Sequence, residues 1–267
     1  MKNRIISALI MLPLLLLVYI GKLPLIALCL AVSIAGIKEF YRAFEDQRIQ
    51  PSMGVAVLTL ACLYLFNIYT RLSGYKETDL NLYMLWLFIA VSLSFIYMYS
   101  LKERTMEDGL STLAGIVYVG FFPFHLALMD RLDRGGILIW LILITAFGTD
   151  IVAYFVGRAI GKHKLCPKIS PNKTVEGAVG GLIASGVFCA VFGLLLLPDM
   201  LIHCIIIGVL GGVFAQLGDL TASIFKRQLG IKDFSSLIPG HGGIMDRGDS
   251  IFFTAPMVYY YCAMMQL

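Results

Sequence analysis

The sequence predicts an all-α protein that crosses a membrane about nine times. Of its 267 residues, 59% are hydrophobic and only 14% are charged, and the mean hydropathy is +0.84. About a quarter of the residues in soluble domains are charged. The apolar residues also form runs long enough to cross a hydrocarbon core of about 30 Å. Both observations indicate an integral membrane protein and exclude a soluble globular domain.

Nine apolar runs are the candidate membrane-spanning helices. They lie at residues 5–20, 23–37, 52–70, 80–99, 110–129, 136–157, 177–197, 200–227 and 250–266. The first two are short and carry Pro13 and Pro24, so they form either two spans or a shallow hairpin near one surface. Lys2 and Arg4 precede the first run as in a signal peptide, but no small-residue cleavage site follows them. We therefore expect this run to be retained.

The distribution of positive charge predicts the orientation of the chain. With a cytoplasmic N-terminus, the nine-span arrangement puts 16 of the 21 Lys and Arg residues in cytoplasmic segments. Such a bias matches the positive-inside rule, so we expect a multi-pass protein of the cell (inner) membrane. The net charge of +4 follows from this topology and does not indicate nucleic-acid binding.

The two halves of the chain differ in character. Residues 1–145 are runs of aliphatic and aromatic residues that predict scaffold helices, and so apolar a half favours a homodimer. In residues 146–267 polar groups and glycines enter the spans, which predicts the functional region and a polar pocket facing the cytoplasm. Two glycine pairs spaced by four, Gly177 with Gly181 and Gly208 with Gly212, predict that spans seven and eight pack closely.

The run from Ser223 to Asp249 concentrates charge in this oily chain. Its cations are Lys226, Arg227, Lys232 and Arg247. Arginine holds phosphate oxygens in a planar fork, and lysine adds a compact charge. Positive residues at a cytoplasmic helix end are expected from topology alone, but the carboxylates between them are not. The run therefore predicts phosphate chemistry.

Three aspartates are candidate metal ligands. Asp246 and Asp249 are three residues apart, so at the start of the last helix they project from the same side. One of them could serve as a helix cap, but Asp219 lies inside an apolar helix, where an acidic residue by default marks function. Hard oxygen ligands beside a phosphate site favour Mg²⁺. Asp219, Ser223, Lys226 and Arg227 also share one stripe of span eight.

Two further segments are candidate parts of the site. The PGHGG loop predicts positive φ angles and a close backbone approach, and His241 in it is either a phosphate ligand or a structural hydrogen-bonding group. On span six, Asp150, Tyr154 and Arg158 share one face. A lysine-rich loop then ends in SPNKTVEG, where Lys173 at a helix start opposes the dipole unless an anion lies there. We expect Asp219 to face this loop, although a basic loop could also simply attract anionic lipid.

These residues resemble the phosphatidate cytidylyltransferase family, the CDP-diacylglycerol synthases. The family pattern is matched at fixed spacing over 27 residues. Its matching positions are Ser223, Lys226, Arg227, Lys232, Asp233, Pro239, His241, Gly242, Gly243, Asp246, Arg247 and Asp249. GDL at Gly218–Leu220, TD with AYFVGR, and ISPNKTVEG extend the resemblance over about residues 147–266. Gly248 departs from it, because the family usually has a larger apolar residue there.

The resemblance implies Mg²⁺-dependent transfer of CMP from CTP to phosphatidic acid, which gives CDP-diacylglycerol and pyrophosphate. It implies Asp219 and Asp246 as metal ligands and Asp249 as either a third ligand or a group that supports the ligands, and a second cation is compatible with such a displacement. Lys226, Arg227 and Arg247 would hold phosphates. Further substrate-binding candidates are Asn172, Lys173, Arg158, Ser223, Lys232 and His241.

Two other functions remain open at this stage. A CTP-dependent lipid or polyprenol kinase would share a cytoplasmic phosphate pocket but would transfer the γ-phosphate. An ion-coupled transporter would use the intramembrane Asp150 and Asp219 as coupling sites. The halves show no inverted repeat, which disfavours a transporter.

Overall fold

The computed structural model describes residues 13–73, 80–100, 103–237 and 242–267. Within these residues the helical segments follow the predicted apolar runs to within a few positions. They are α1 (residues 13–20), α2 (Lys22–Arg42), α3 (Met53–Leu72), α4 (Leu80–Ile96), α5 (Met106–Ala114), α6 (Phe122–Met129), α7 (Gly135–Ile160), α8 (Val175–Leu196), α9 (Leu201–Gln228) and α10 (Met245–Met264). Lys2 and Arg4, used to predict the orientation, lie outside the described residues.

Seven helices of the described chain are long and apolar enough to cross a membrane. They are Lys22–Gln47, Met53–Leu72, Asn81–Tyr99, Met106–Met129, Gly135–Ile160, Val175–Leu196 and Pro198–Gln228. Large apolar side chains such as Leu72 and Leu195 are exposed on them, as expected of surfaces that face lipid. The protein is therefore an all-α polytopic membrane protein, whereas the predicted total of nine spans and the side of the N-terminus stay predictions.

The chain divides into two compact units. Unit 1 consists of Met1–Arg131 and Ile231–Asp246, as far as these residues are described, and unit 2 of Leu132–Gly230 and Arg247–Leu267. The first boundary lies near the predicted division at residue 145. The segment 231–246, which carries part of the predicted site, groups with unit 1.

In unit 1, the predicted span 110–129 is a helix with a π-helical centre. Gly115–Phe121 forms this π segment between α5 and α6. Pro123 explains it, because proline has no N–H to bond the carbonyl four residues earlier and its ring clashes with that carbonyl. Tyr41 of α2 packs on Gly115 and donates a hydrogen bond of 2.7 Å to the carbonyl of Thr112. This contact fastens α2 to the irregular helix.

In unit 2, glycines let α7, α8 and α9 approach closely. An added methyl group at Gly208 of α9 would collide with the backbone oxygen of Ser185 in α8, and one at Gly212 would lie tightly against the same residue, so the predicted packing of spans seven and eight is confirmed. Gly177 and Gly181 of α8 instead face α7, against the carbonyl oxygens of Ala153 and Thr149. The two glycine pairs therefore hold three helices together rather than two.

The SPNK segment of unit 2 is part of a short β-hairpin. Strands β1 (Lys164–Cys166) and β2 (Ser170–Thr174) pair antiparallel, with Cys166 opposite Ser170. Pro171 favours the extended conformation at the preceding residue. Thr174 then caps α8, since its hydroxyl accepts a 3.1 Å hydrogen bond from the amide of Gly177. The hairpin, which the all-α prediction did not contain, fixes the direction in which Asn172 and Lys173 leave the backbone.

Candidate active site

A cavity of about 440 Å³ with several charged groups in its wall lies within unit 2. Its walls come from α7, the β-hairpin, α8 and α9. The polar side chains that line it are Asp150, Tyr154, Arg158, Asn172, Lys173, Thr174, Gln216 and Asp219. The volume is within the range of about 300–1,000 Å³ that is usual for ligand pockets.

An ion pair connects two of the predicted segments inside this cavity. The Lys173 ammonium lies 2.5 Å from a carboxylate oxygen of Asp219, and each side chain is 27% exposed. The expected meeting of span eight with the SPNK segment is therefore present. The anion that faces Lys173 in the structure is a protein carboxylate, and a bound phosphate would have to compete with it.

Three carboxylates of unit 2 lie close enough to repel one another electrostatically: Asp150, Asp219 and Asp249. Asp150 accepts a 2.8 Å hydrogen bond from the hydroxyl of Ser250. The positive charges of Lys173 and Arg247 act on Asp150, and that of Lys226 acts on Asp249. The sequence left Asp150 without a role, although its spacing to Arg158 signalled a shared face. The structure adds it to the cavity wall.

Arg158 also lines the cavity, and two other predicted residues of unit 2, Ser223 and Arg227, lie on α9. Arg158 approaches the hydroxyl of Tyr154 at 3.3 Å, and both are exposed on one face of α7 as predicted. Arg227 donates a 3.1 Å hydrogen bond from Nε to the carbonyl of Ile169, so it ties α9 to the hairpin. Ser223 is half-buried one turn beyond Asp219 on α9.

Close packing fixes the place of Asp249. Its side chain is 8% exposed, and its backbone oxygen lies against Gly218, where an added methyl group would collide with it. The glycine of the GDL segment therefore lets α10 approach α9. Phe252 lies over Gly248 in the same way, which explains how a glycine is accommodated at the position where the family usually has a larger residue.

The other predicted residues lie in unit 1. Asp246 is 7% exposed, and its Oδ2 accepts hydrogen bonds from the amides of Phe234 at 2.9 Å and Gly243 at 3.0 Å. Both amides precede α10, which begins at Met245, so the carboxylate of Asp246 closes the loop before the helix, and its predicted roles stay predictions. Lys232 is exposed. His241 and Pro239 lie outside the described residues. Gly242 has a φ of +79°, as the PGHGG segment predicts.

One functional candidate was missed from the sequence. Glu39 lies in α2, in the half predicted to be scaffold, and is 6% exposed. Its carboxylate accepts hydrogen bonds from the hydroxyl of Ser235 and from the amides of Ile244 and Met245. The available signal was a single acidic residue next to an apolar run, but nothing local to it indicates a partner about 200 residues later in the chain.

The carboxylates of unit 2 are the candidate ligands for a divalent cation. No group of three or more His, Cys, Asp and Glu side chains in the described part of the chain is arranged to hold a metal ion. Mg²⁺, however, commonly takes only one or two protein carboxylates, with water and substrate oxygens completing its shell. Asp219 and Asp249 supply hard oxygen atoms of that kind, so the chemistry of the site fits magnesium.

Comparison with known proteins assigns the chain to a family. The sequence profile of the cytidylyltransferase family matches residues 2–265. The chain belongs to this family. It is 36% identical over 269 residues to the phosphatidate cytidylyltransferase of Bacillus subtilis (strain 168), covering 99% of this chain and 98% of that protein.

Two further members of the cytidylyltransferase family match shorter stretches. A phosphatidate cytidylyltransferase of Staphylococcus saprophyticus is 41% identical over 175 residues, 63% of this chain and 66% of that protein. That of Haemophilus influenzae is 43% identical over 133 residues, 48% of this chain and 46% of that protein. The resemblance found in the sequence motifs is thereby confirmed.

Proposed function

We propose that the chain transfers CMP from CTP to phosphatidic acid, which yields CDP-diacylglycerol and pyrophosphate for phospholipid synthesis. The relatives named phosphatidate cytidylyltransferase support this activity, and one of them matches nearly the whole chain. The observation that carries the proposal is the cavity of unit 2, where Lys173 and Asp219 place opposite charges between apolar helices. Such a site suits two polyanions better than it suits apolar ligands.

The cations around the cavity are the proposed phosphate ligands. Lys173 and Arg158 line the cavity, Arg247 acts electrostatically on Asp150 of its wall, and Lys226 acts on Asp249. An incoming triphosphate would exchange with Asp219 as the partner of Lys173. Asn172 adds an amide that can donate and accept hydrogen bonds. Arg227 orients the hairpin through its hydrogen bond to Ile169.

The reaction needs positioning and charge neutralisation rather than a protein nucleophile. A phosphate oxygen of phosphatidic acid attacks the α-phosphorus of CTP, and the bond from that phosphorus to the pyrophosphate oxygen breaks in line with the attack. The lipid phosphate already carries the negative charge of a nucleophile, so no serine or cysteine is required. The proposed cations hold both polyanions in place and stabilise the charge on the departing pyrophosphate.

Magnesium is the proposed cofactor. Asp219 and Asp249 would hold it, and the role of Asp246 as a ligand, drawn from the family resemblance, stays a prediction. A bound Mg²⁺ would neutralise phosphate charge and make the α-phosphorus more electrophilic. A second cation would be compatible with the three carboxylates of the site, since Asp150 could contribute to it.

The cellular setting is proposed from the charge pattern and the reaction. We expect a multi-pass inner-membrane protein with its active site on the cytoplasmic side, where CTP is available, and with lipid substrate arriving from the bilayer. The apolar first half favours a homodimer.

A labelling experiment tests the reaction. The purified chain, reconstituted with phosphatidic acid and Mg²⁺, should release one pyrophosphate for each CDP-diacylglycerol formed, with label from α-labelled CTP in the lipid product. A lipid kinase would instead transfer label from γ-labelled CTP and release CDP. Absence of any CTP-dependent lipid product, in a preparation shown to be folded, would contradict the proposal.

A further inference from the structure

Glu39 of α2 is the best-supported residue without an assigned role. Its carboxylate is almost fully buried and receives three hydrogen bonds, all from the segment 231–246 of unit 1. Oε1 accepts from the hydroxyl of Ser235 at 2.6 Å and from the amide of Ile244 at 3.1 Å, and Oε2 accepts from the amide of Met245 at 3.0 Å. One side chain therefore fastens both ends of this loop.

The partners explain why a charge is tolerated there. Ile244 and Met245 lie at the start of α10, where the first amides of a helix have no partner within the helix and favour a negative group. No Lys or Arg forms a salt bridge to Glu39 among the described residues. Burying a carboxylate that has neither a positively charged partner nor a hydrogen-bond donor would be strongly unfavourable. Hydrogen bonds from the backbone of the loop therefore offset the cost of burying the negative charge of Glu39.

Two glycines of the loop leave room for the carboxylates of Glu39 and Asp246. An added methyl group at Gly243 would collide with the Glu39 carboxylate, and one at Gly242 would press on that of Asp246. Asp246 closes the same loop from inside, through the amides of Phe234 and Gly243. The side-chain direction of Asp246 therefore depends on the backbone that Glu39 anchors.

We propose that Glu39 is a positioning residue, which sets the backbone at Ser235 and at residues 242–246 and through it the orientation of Asp246. The proposal rests on the proposed function insofar as Asp246 and Lys232 act in cytidylyl transfer. Glu39 itself touches no reacting atom. It acts by holding the loop in one conformation, which lowers the fraction of time that Asp246 spends in unproductive orientations.

The test compares Glu39→Gln with the matched control Glu45→Gln. Glutamine at position 39 keeps one acceptor oxygen but turns an amide donor toward the backbone amides at the start of α10. Glu45 is a suitable control because it is exposed, near the end of the same helical run. We expect Glu39→Gln to lower kcat about 10- to 100-fold, the range seen when supporting groups around ligands are removed, with a much smaller change in the KM for CTP. Glu45→Gln should leave both unchanged.

A second measurement reports on the loop without relying on activity. Hydrogen exchange in a peptide covering residues 242–248 should become about tenfold faster in Glu39→Gln, because hydrogen bonds to a charged group are lost. Ser235→Ala removes one of the same hydrogen bonds. Its effect on kcat should therefore be less than additive with Glu39→Gln and additive with Glu45→Gln.

The outcomes separate this inference from the proposed function. A wild-type protein that transfers CMP, together with a Glu39→Gln variant of unchanged kcat and unchanged exchange, would overturn the role of Glu39 alone. A loss of activity that only parallels loss of folded protein, with normal exchange in residues 242–248, would overturn it too. If the folded wild type forms no CDP-diacylglycerol, the proposed function fails, and the exchange result still decides whether Glu39 holds the loop.

Discussion

The ion pair of Lys173 with Asp219 is the residue-scale feature on which the proposed chemistry depends. An acidic residue inside an apolar helix is unfavourable, and Lys173 compensates it across the cavity at 2.5 Å. The same two side chains would be the first to rearrange when a polyanion and a cation enter. If the pair is only structural, exchanging its two charges should leave activity intact. If the pair binds substrate, the exchange should abolish activity.

The double substitution Lys173→Asp with Asp219→Lys tests this difference. The exchanged pair retains its attraction, so the protein should stay folded, with a thermal midpoint in detergent close to that of the wild type. Activity should fall at least about 100-fold, because phosphate would meet a carboxylate on the hairpin and the cation site on α9 would be lost. Recovery of wild-type turnover by the exchanged pair would make the ion pair a structural contact only.

Asp246→Asn should abolish turnover while the protein remains folded. An asparagine oxygen can still accept a hydrogen bond from the amide of Phe234 or Gly243, so the loop keeps part of its closure, but the negative charge is gone. Asp199→Asn is the matched control, because Asp199 is exposed and, within the described residues, forms its salt bridge with Arg134, a surface contact of little energetic value. Full activity of Asp246→Asn at limiting Mg²⁺ would contradict a role for this charge.

The sequence could predict some of these residues and not others. Asp219 was visible because carboxylates are rare in apolar spans, and Lys173 because it stands at a helix start. Asp150 lacked an assignment because its hydrogen bond to Ser250 joins residues 100 positions apart. Glu39 was missed for the same reason, since its three donors follow it by about 200 residues.

At the scale of elements, apolar runs predicted helix positions well because a membrane-spanning helix needs about 20 apolar residues. The exceptions have local causes. The β-hairpin at Lys164–Thr174 is short and polar, so no hydrophobic periodicity marks it. The π segment Gly115–Phe121 lies inside an ordinary apolar run, and only Pro123 hints at it. Glycine spacing predicted close packing but not which partner each pair would face.

Gly208→Ala tests the packing of α9 on α8. The added methyl group would lie 2.7 Å from the backbone oxygen of Ser185, and overpacking of this kind costs about 1–3 kcal/mol. Gly136→Ala is the control, because among the described residues nothing beyond its chain neighbours and its own helix backbone lies within 4 Å of a methyl group there. Thermal unfolding in detergent should show a lower midpoint for Gly208→Ala and little change for Gly136→Ala. Equal midpoints for both variants would mean that the contact at Gly208 is looser than the structure has it.

At the scale of the whole molecule, the charge bias predicts which side of the membrane carries the β-hairpin. Cys166 lies in β1 and is half-buried, and Cys62 is half-buried within the membrane-spanning helix α3, out of reach of an impermeant reagent, while Cys29, Cys189, Cys204 and Cys262 are buried. A membrane-impermeant thiol reagent should therefore label inside-out vesicles and spare right-side-out ones, and Cys166→Ser should remove the labelling. Labelling that depends on Cys166 in right-side-out vesicles would reverse the proposed orientation and put the cavity on the wrong side for CTP.

Transfer of CMP to a lipid phosphate is the proposed activity of this chain. Its most direct measurement compares α-labelled with γ-labelled CTP in vesicles that contain the purified protein, phosphatidic acid and Mg²⁺. We predict that label enters a lipid from α-labelled CTP only, and that the γ-label leaves as pyrophosphate. Lipid labelled from γ-labelled CTP, or no labelled lipid from a folded protein, would contradict the claim.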